Sequence, residues 1–232
     1  DEVLALTFTR EAAVELRQRA EQEIGRSHET LRVSTFHSYA QDLVRVHGVE
    51  RGLLPPCEGA RPEDRALLLL ERLGELDLRL HDLRGAVAGM VNDIIARIDA
   101  CRDELVPAAS YRAWAEAGVA DAGSRAVEHR MRRELEFARI YEAHDRWLAE
   151  AGLEDFGLWI MRALELLRAH PDRLGAVRAG ARHILVDEFQ DTNVLQYRWL
   201  KLLTGAGSSI FAVGDDDQCL VEGTKVTMAD GR

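Results

Sequence analysis

The chain has 232 residues, of which 47% are hydrophobic and 30% are charged, and its formal net charge is -10 at pH 7. This composition is typical of a folded globular protein and excludes a disordered tail or a fibre. The excess of acidic residues excludes a polybasic nucleic-acid binder, so any contact with nucleic acid must depend on a local surface.

Membrane, zinc and disulfide signals are missing from the sequence. No stretch approaches the roughly 18 consecutive apolar residues of a membrane span, and the first residues do not resemble an export signal. Cys57, Cys101 and Cys219 lack the spacing of a zinc site or a disulfide framework. We therefore expect a cytoplasmic protein.

Two strand-to-helix junctions are predicted within the first 50 residues. Residues 3–6 form a short apolar run, and helical spacing of apolar residues follows Thr9, which is a plausible N-cap. Residues 31–34 are strand-like, and residues 36–44 carry an apolar stripe at helical spacing that ends near Gly48. Two such junctions favour a parallel α/β sheet.

After about residue 50 the sequence pattern changes to long helical segments. Helix-type periodicity covers residues 67–80, 86–101, 125–149 and 159–169, with Gly or Pro near the segment ends. Sheet signals return with a strand at 183–186, a helix around 195–203 and a strand at 209–214. We therefore predict an all-α insertion, residues 51–180, between two parts of one α/β domain, residues 1–50 and 181–218.

Acidic side chains follow two of the predicted strands. Asp187 and Glu188 come directly after the strand at 183–186, which places both at the carboxyl edge of a parallel sheet, where open α/β folds bind ligands. One carboxylate can hold Mg2+ on nucleotide phosphates while its neighbour activates a water. Such pairs also occur as helix caps or solvated turns, and the three aspartates 215–217 are typical of a solvated turn.

The order of these segments resembles the UvrD/Rep/PcrA group of superfamily 1 DNA helicases. Leu-Ala-Leu-Thr-Phe-Thr at 4–9 is similar to motif Ia, and Ser-Thr-Phe-His-Ser at 34–38 is similar to motif Ib. Ile-Leu-Val-Asp-Glu-Phe-Gln-Asp-Thr-Asn at 184–193 resembles motif II, and residues 213–218 resemble the start of motif III. Leu-Glu-Asp-Phe-Gly at 153–157 is similar to the segment before motif II. Across residues 1–218 the resemblance implies a RecA-like P-loop NTPase sheet with an inserted helical subdomain.

The resemblance also implies roles for single residues. Asp187 would bind Mg2+, Glu188 would act as general base on the attacking water, and Gln218 would sense the γ-phosphate of ATP. The single-stranded DNA groove would be lined by Thr7, Phe8, Thr9, Phe36 and His37. An aromatic ring at position 8 suits a motor, because base stacking is tolerant of sequence. Left open are a core position for Phe8 and a helix-capping role for His37.

The sequence departs from the family pattern at two places. Arg10 and Glu11 stand where the family usually has Asn-Lys, which leaves Arg10 as the positive group after motif Ia. No G-x-x-x-x-G-K-[ST] loop, whose amides and lysine bind phosphates, occurs in the sequence. We therefore expect a helicase fragment that lacks the first strand, the phosphate loop and the second RecA-like domain, and that does not hydrolyse ATP alone.

The last fourteen residues, 219–232, resemble the N-terminal splicing block of an intein. Cys219 stands where the helicase pattern expects Ser-Ile-Tyr, and a thiolate in that position can take over the preceding acyl group. The alternatives are a divergent helicase or a free cysteine that occurs there by chance.

The leading hypothesis is an ATP-dependent 3'-to-5' DNA helicase of DNA repair or replication, with ATP and Mg2+ as cofactors and single-stranded DNA and duplex junctions as partners. Its alternatives are a non-catalytic single-stranded DNA-binding remnant and the helicase subunit of a helicase–nuclease complex.

Overall fold

The computed structural model describes residues 2–25, 31–81 and 87–215. The strands are β1 (Val3–Thr7), β2 (Arg32–Thr35), β3 (Glu58–Gly59), β4 (Leu153–Glu154), β5 (His183–Val186) and β6 (Ser209–Ala212). The helices are α1 (Arg10–Ile24), α2 (Phe36–Leu43), α3 (Pro62–Arg72), α4 (Val87–Asp103), α5 (Ala108–Ala120), α6 (Arg125–Glu150), α7 (Phe156–Ala169), α8 (Pro171–Ala179) and α9 (Val194–Leu203).

The chain forms two compact units. Unit 1 is drawn from residues 1–39 and 167–232, and unit 2 from residues 40–166. In the part of the chain that the structure describes, no helix has the length and apolar content needed to cross a bilayer.

Unit 1 contains a four-stranded sheet in the order β2-β1-β5-β6, and each pairing is parallel. Its two central strands bury Leu4, Leu6, Ile184 and Val186 almost completely, which explains why short apolar runs sufficed to locate them. The prediction of a mixed α/β fold with a parallel sheet is confirmed.

The helix starts in unit 1 follow from local capping. The Thr9 hydroxyl accepts a hydrogen bond from the Ala12 backbone amide at 3.1 Å, as predicted for an N-cap. Helix α9 begins with a capping box, in which Asn193 and Gln196 each accept the other's backbone amide. Trp199 of α9 is fully buried and meets Tyr39 in an edge-on ring contact at 6.5 Å.

Unit 2 is built mainly from helices packed around one apolar core. Buried side chains of α3, α4 and α6 meet there, among them Leu69, Ile98, Phe137, Ile140 and Trp147. The predicted helices 86–101, 125–149 and 159–169 match α4, α6 and α7 closely.

One helix prediction needs correction, and two helices of the structure were not predicted. The helix predicted at 67–80 begins at Pro62, because the Asp64 carboxylate accepts the Arg61 backbone amide, and ends in a single 3-10 turn, Leu73–Glu75. Helix α5 gave no apolar stripe because it buries only Ala108 and Ala115. The short helix α8 was not predicted because Pro171 was interpreted as the end of a helix, whereas it occupies the first turn of α8.

The predicted all-α character of the insertion is also wrong in one respect. Two-residue strands β3 and β4 pair in parallel within unit 2. Backbone bonds extend this bridge, from Glu58 N to Gly152 O at 3.0 Å and from Ala60 N to Glu154 O at 2.6 Å. Strands this short leave no alternating pattern in the sequence.

A buried charge cluster joins three helices of unit 2 to the residue before α7. Asp155 Oδ2 lies 2.6 Å from Arg102 Nη2 and 3.8 Å from Arg65 Nη2, and all three side chains are almost fully buried. Arg102 also pairs with Asp145 at 2.7 Å, and Arg65 pairs with Asp99 at 2.8 Å. Each cation therefore faces two carboxylates, which offsets the cost of burying charge.

His144 completes this cluster in a defined tautomer. Its Nε2 lies 3.1 Å from Arg65 Nε, and its Nδ1 lies 3.0 Å from Asp145 Oδ1. An arginine nitrogen can only donate, so Nε2 accepts and the ring proton sits on Nδ1, pointing at the carboxylate. His144, Asp145 and Asp155 group like metal ligands, but the two guanidinium groups already supply their positive charge.

Candidate functional site

The carboxyl edge of the unit 1 sheet collects all the motif segments that the structure describes. The strands run parallel, so the residues that follow β1, β2, β5 and β6 emerge at the same edge. These segments are residues 8–9, 36–37, 187–188 and 213–215. An edge of this kind is where open parallel sheets bind ligands.

Asp187 is held by its backbone, and among the described residues only one of its carboxylate oxygens accepts a hydrogen bond. Its amide donates to Leu6 O at 3.1 Å, which continues the β1–β5 pairing by one residue. Its Oδ1 accepts the Glu188 amide at 3.1 Å. The side chain is half-buried. A half-buried carboxylate with one oxygen held suits Mg2+, which binds through one or two carboxylates and otherwise keeps water and phosphate oxygens.

Glu188 has an uncommon backbone conformation. Its φ is 50° and its ψ is 46°, the left-handed region that non-glycine residues seldom adopt. A strained residue of this kind costs about 1–3 kcal/mol and is found preferentially at functional sites. The conformation starts a 3-10 turn, Phe189–Asp191, closed by the Asp191 amide on Glu188 O at 2.9 Å. The Glu188 side chain is exposed.

The segment after β6 is tied to the segment after β5. Val213 N donates to Val186 O at 2.9 Å, and Phe189 N donates to Val213 O at 2.8 Å. Gln190 adds a side-chain link, since its Oε1 accepts the Asp215 amide at 3.0 Å. Sequence reasoning assigned no role to Gln190, and its only signal was its place inside the motif II resemblance.

The residues predicted to contact DNA fall into two groups. Thr7 and Phe36 are each only 1% exposed, and the Thr7 hydroxyl donates to Thr9 O at 3.0 Å. Neither side chain has a surface for a nucleotide here, because both are packed beneath the edge. Phe8, Thr9 and His37 keep exposed or half-exposed surface.

Phe8 is intermediate between a core residue and a fully exposed DNA-contacting residue. The ring is half-buried and packs on Phe36 with centroids 5.3 Å apart and planes tilted by 48°. Phe36 thus supports Phe8 from below. Phe8 keeps part of its surface exposed and can therefore offer a stacking platform.

Two other predicted site residues, Gln218 and Cys219, lie outside the described residues, as does the whole segment 216–232. The two remaining cysteines are not activated nucleophiles. Burial raises the pKa of Cys57 to about 11 and also raises the pKa of Cys101, which disfavours the reactive thiolate.

Comparison with known proteins gives a consistent result over nearly the whole chain. The family model described as the UvrD/REP helicase N-terminal domain matches residues 1–221. A protein named DNA helicase II from Haemophilus influenzae is 32% identical over 225 residues, which is 94% of this chain and 28% of that protein.

Two further relatives are also named as DNA helicases. DNA helicase II of Escherichia coli is 31% identical over 223 residues, covering 94% of this chain and 27% of that protein. The ATP-dependent DNA helicase Rep of Salmonella typhimurium is 28% identical over 219 residues, covering 94% of this chain and 29% of that protein. The chain thus spans less than a third of the length of these relatives.

Proposed function

Since the chain belongs to the UvrD/REP helicase N-terminal domain family, we propose that it forms most of the first, RecA-like motor domain of an ATP-dependent DNA helicase. The observation that carries this proposal is the meeting of the Asp187–Glu188 pair and the segments after β1 and β2 at one edge of the sheet. Unit 2 is then the helical subdomain inserted into that motor domain.

The acidic pair provides the hydrolytic half of the proposed activity. Asp187 would hold Mg2+ on the phosphates of ATP through its half-buried carboxylate. Glu188, exposed at the edge and carried by the turn Phe189–Asp191, would take the proton of the attacking water. Gln218 is proposed to sense the γ-phosphate.

The segments after β1 and β2 provide the DNA-binding part of the proposed activity. Phe8 would stack on a DNA base, with Phe36 holding the ring in place. Thr9 and His37 would contact the DNA strand on either side of that base. Stacking and local contacts suit a protein whose overall charge is negative. We propose movement in the 3'-to-5' direction on single-stranded DNA, in repair or replication.

The proposed hydrolytic and DNA-binding segments are connected through the backbones of β1 and β5. Strands β1 and β5 pair directly, with Leu6 opposite Val186, and the Asp187 amide donates to Leu6 O at 3.1 Å. Phe8 and Asp187 are therefore each within two residues of the same pair of strand ends. A displacement of β5 by nucleotide would reach the DNA-contacting segment through backbone hydrogen bonds.

The test is ATP hydrolysis by the full-length gene product that contains this segment, measured with and without single-stranded DNA. We expect DNA-stimulated turnover from the full-length protein and none from residues 1–232, which contain no phosphate-binding loop. A full-length protein that binds single-stranded DNA and leaves ATP intact would instead identify a non-catalytic binding module. Processive nuclease activity in the same preparation would identify a helicase–nuclease subunit.

We also infer that residues 219–232 begin an intein. The support is the sequence Cys-Leu-Val-Glu-Gly-Thr-Lys-Val after Gln218, where Cys219 can accept the acyl group of Gln218. An N-to-S shift forms a thioester that hydroxylamine cleaves. Mass spectrometry of hydroxylamine-treated protein should show a fragment ending at Gln218, and Cys219→Ala should abolish it. Residues 219–232 do not contain the histidine and asparagine blocks that splicing needs, so Cys219 is expected to be inert or at most to form a labile thioester, and an intact chain would identify the inert state. A fragment that persists in Cys219→Ala would contradict the shift.

A further inference from the structure

Gln190 touches both acidic strand ends of the candidate site. Its Nε2 lies 2.5 Å from Glu188 Oε2, and its Oε1 lies 3.0 Å from the backbone nitrogen of Asp215. The first contact is to the segment after β5, and the second is to the segment after β6. The side chain is half-buried.

The chemistry of the two partners fixes the orientation of the Gln190 amide. A carboxylate accepts hydrogen bonds, so the group facing Glu188 must be the NH2 donor. A backbone N–H donates, so the group facing Asp215 must be the carbonyl acceptor. The reversed amide would place oxygen against carboxylate and NH2 against N–H, losing both bonds.

Gly214 shows how closely the two segments approach each other. A Cβ at position 214 would lie 2.7 Å from Gln190 Oε1 and 3.3 Å from the Gln190 backbone nitrogen. Both distances are shorter than an ordinary van der Waals contact. The absence of a side chain at Gly214 therefore allows the Gln190 amide to reach the Asp215 N–H.

We propose that Gln190 is a positioning residue, which orients the Glu188 carboxylate and joins it to the segment that follows β6. The inference rests on the proposed function, in which Glu188 is the general base. The charge-assisted bond holds Oε2, so Oε1 would be the oxygen that accepts the proton of the attacking water. One side-chain amide therefore links the proposed base to the backbone of Asp215, in the segment after β6.

The two contacts can be separated by two substitutions of similar size. Gln190→Met removes both the donor and the acceptor. Gln190→Glu keeps an oxygen for the Asp215 amide but places a second carboxylate against Glu188. Gln18→Glu, on the exposed surface of α1, makes the same charge change away from the sheet edge and serves as the control.

The first measurement uses residues 1–232 and needs no enzymatic activity. Amide hydrogen exchange of Asp215 is expected to be about five- to tenfold faster in Gln190→Met than in the original chain, as loss of one hydrogen bond implies. Gln190→Glu and Gln18→Glu should leave it within about twofold. Equal Asp215 exchange in all four proteins would overturn the proposed contact.

The second measurement uses the full-length gene product. Both Gln190 variants should lower kcat for DNA-stimulated ATP hydrolysis by about 10- to 100-fold while KM for ATP stays within about twofold, because a misaligned base affects the chemical step and not substrate binding. Urea unfolding midpoints equal to that of the original protein show that the variants fold.

The outcomes separate this inference from the function on which it rests. Unchanged kcat in both Gln190 variants, in a protein that Glu188→Gln inactivates, would overturn the positioning role and leave the helicase proposal intact. A full-length protein that never hydrolyses ATP would overturn both. Loss of kcat accompanied by an equal loss of ATP affinity would assign Gln190 to nucleotide binding and overturn the positioning role.

Discussion

Glu188→Gln is expected to lower DNA-stimulated kcat of the full-length gene product by about 10²- to 10⁴-fold, the usual contribution of a general base. Glutamine has the shape of glutamate but cannot accept the proton of the attacking water. The residue is exposed and stands at the start of the turn Phe189–Asp191, so the substitution leaves the sheet intact. KM for ATP should stay within about threefold, because Asp187 is untouched.

A matched change isolates the effect of position. Glu165→Gln alters an exposed glutamate on α7, in unit 2, and should keep kcat within about twofold. Steady-state hydrolysis with saturating single-stranded DNA gives both values. If Glu188→Gln retained more than a tenth of the original kcat, the assignment of Glu188 as general base would be wrong.

Asp155→Asn is expected to lower the free energy of unfolding of residues 1–232 by about 3–5 kcal/mol, the cost of breaking a buried ion pair on one side. The substitution leaves the buried guanidinium of Arg102 without the carboxylate that lies 2.6 Å from its Nη2. Asp145 alone then balances that charge. Urea unfolding followed by tryptophan fluorescence measures the loss, since Trp147 is fully buried in the same unit.

The same pair predicts the pH dependence of stability. Burial acts to raise the pKa of Asp155, but the positive charges of Arg102 and Arg65 outweigh it and hold that pKa below its ordinary value of 3.8. The stabilisation is therefore complete above the ordinary pKa and is lost as pH falls through the lowered pKa.

Asp77→Asn is the control for Asp155→Asn. It alters an exposed ion pair with Arg79 and should change the free energy of unfolding by less than about 1 kcal/mol.

The sheet and its acidic edge were predictable because their signals are local. Short apolar runs located β1, β5 and β6, and the strand-like residues 31–34 located β2. The polar residues that follow these strands fixed which side chains reach the edge. Thr9 illustrates the same point for helices, since an N-cap depends on the three residues that follow it. Parallel pairing then brought the distant motif segments together.

Features that depend on distant partners were not predictable in this way. Phe36 appeared as a DNA-contacting residue but is buried under Phe8, a neighbour supplied only when β1 and β2 pair. The bond between Gln190 and Asp215 spans 25 positions in the sequence. The ion pair of Arg102 with Asp155 joins residues on separate helical segments, and charge at both positions is equally consistent with a solvated surface.

The pairing of β1 with β5 bears on how the protein is made. Val3 pairs with His183, so about 180 further residues must be synthesised after β1 before its partner strand β5 emerges from the ribosome. At about 5–20 residues per second, that delay is on the order of ten seconds or more. All of unit 2 leaves the ribosome in that interval and has time to fold first. Until β5 arrives, the nascent chain carries the unpaired apolar strand of Leu4 and Leu6, which exposes it to misassembly.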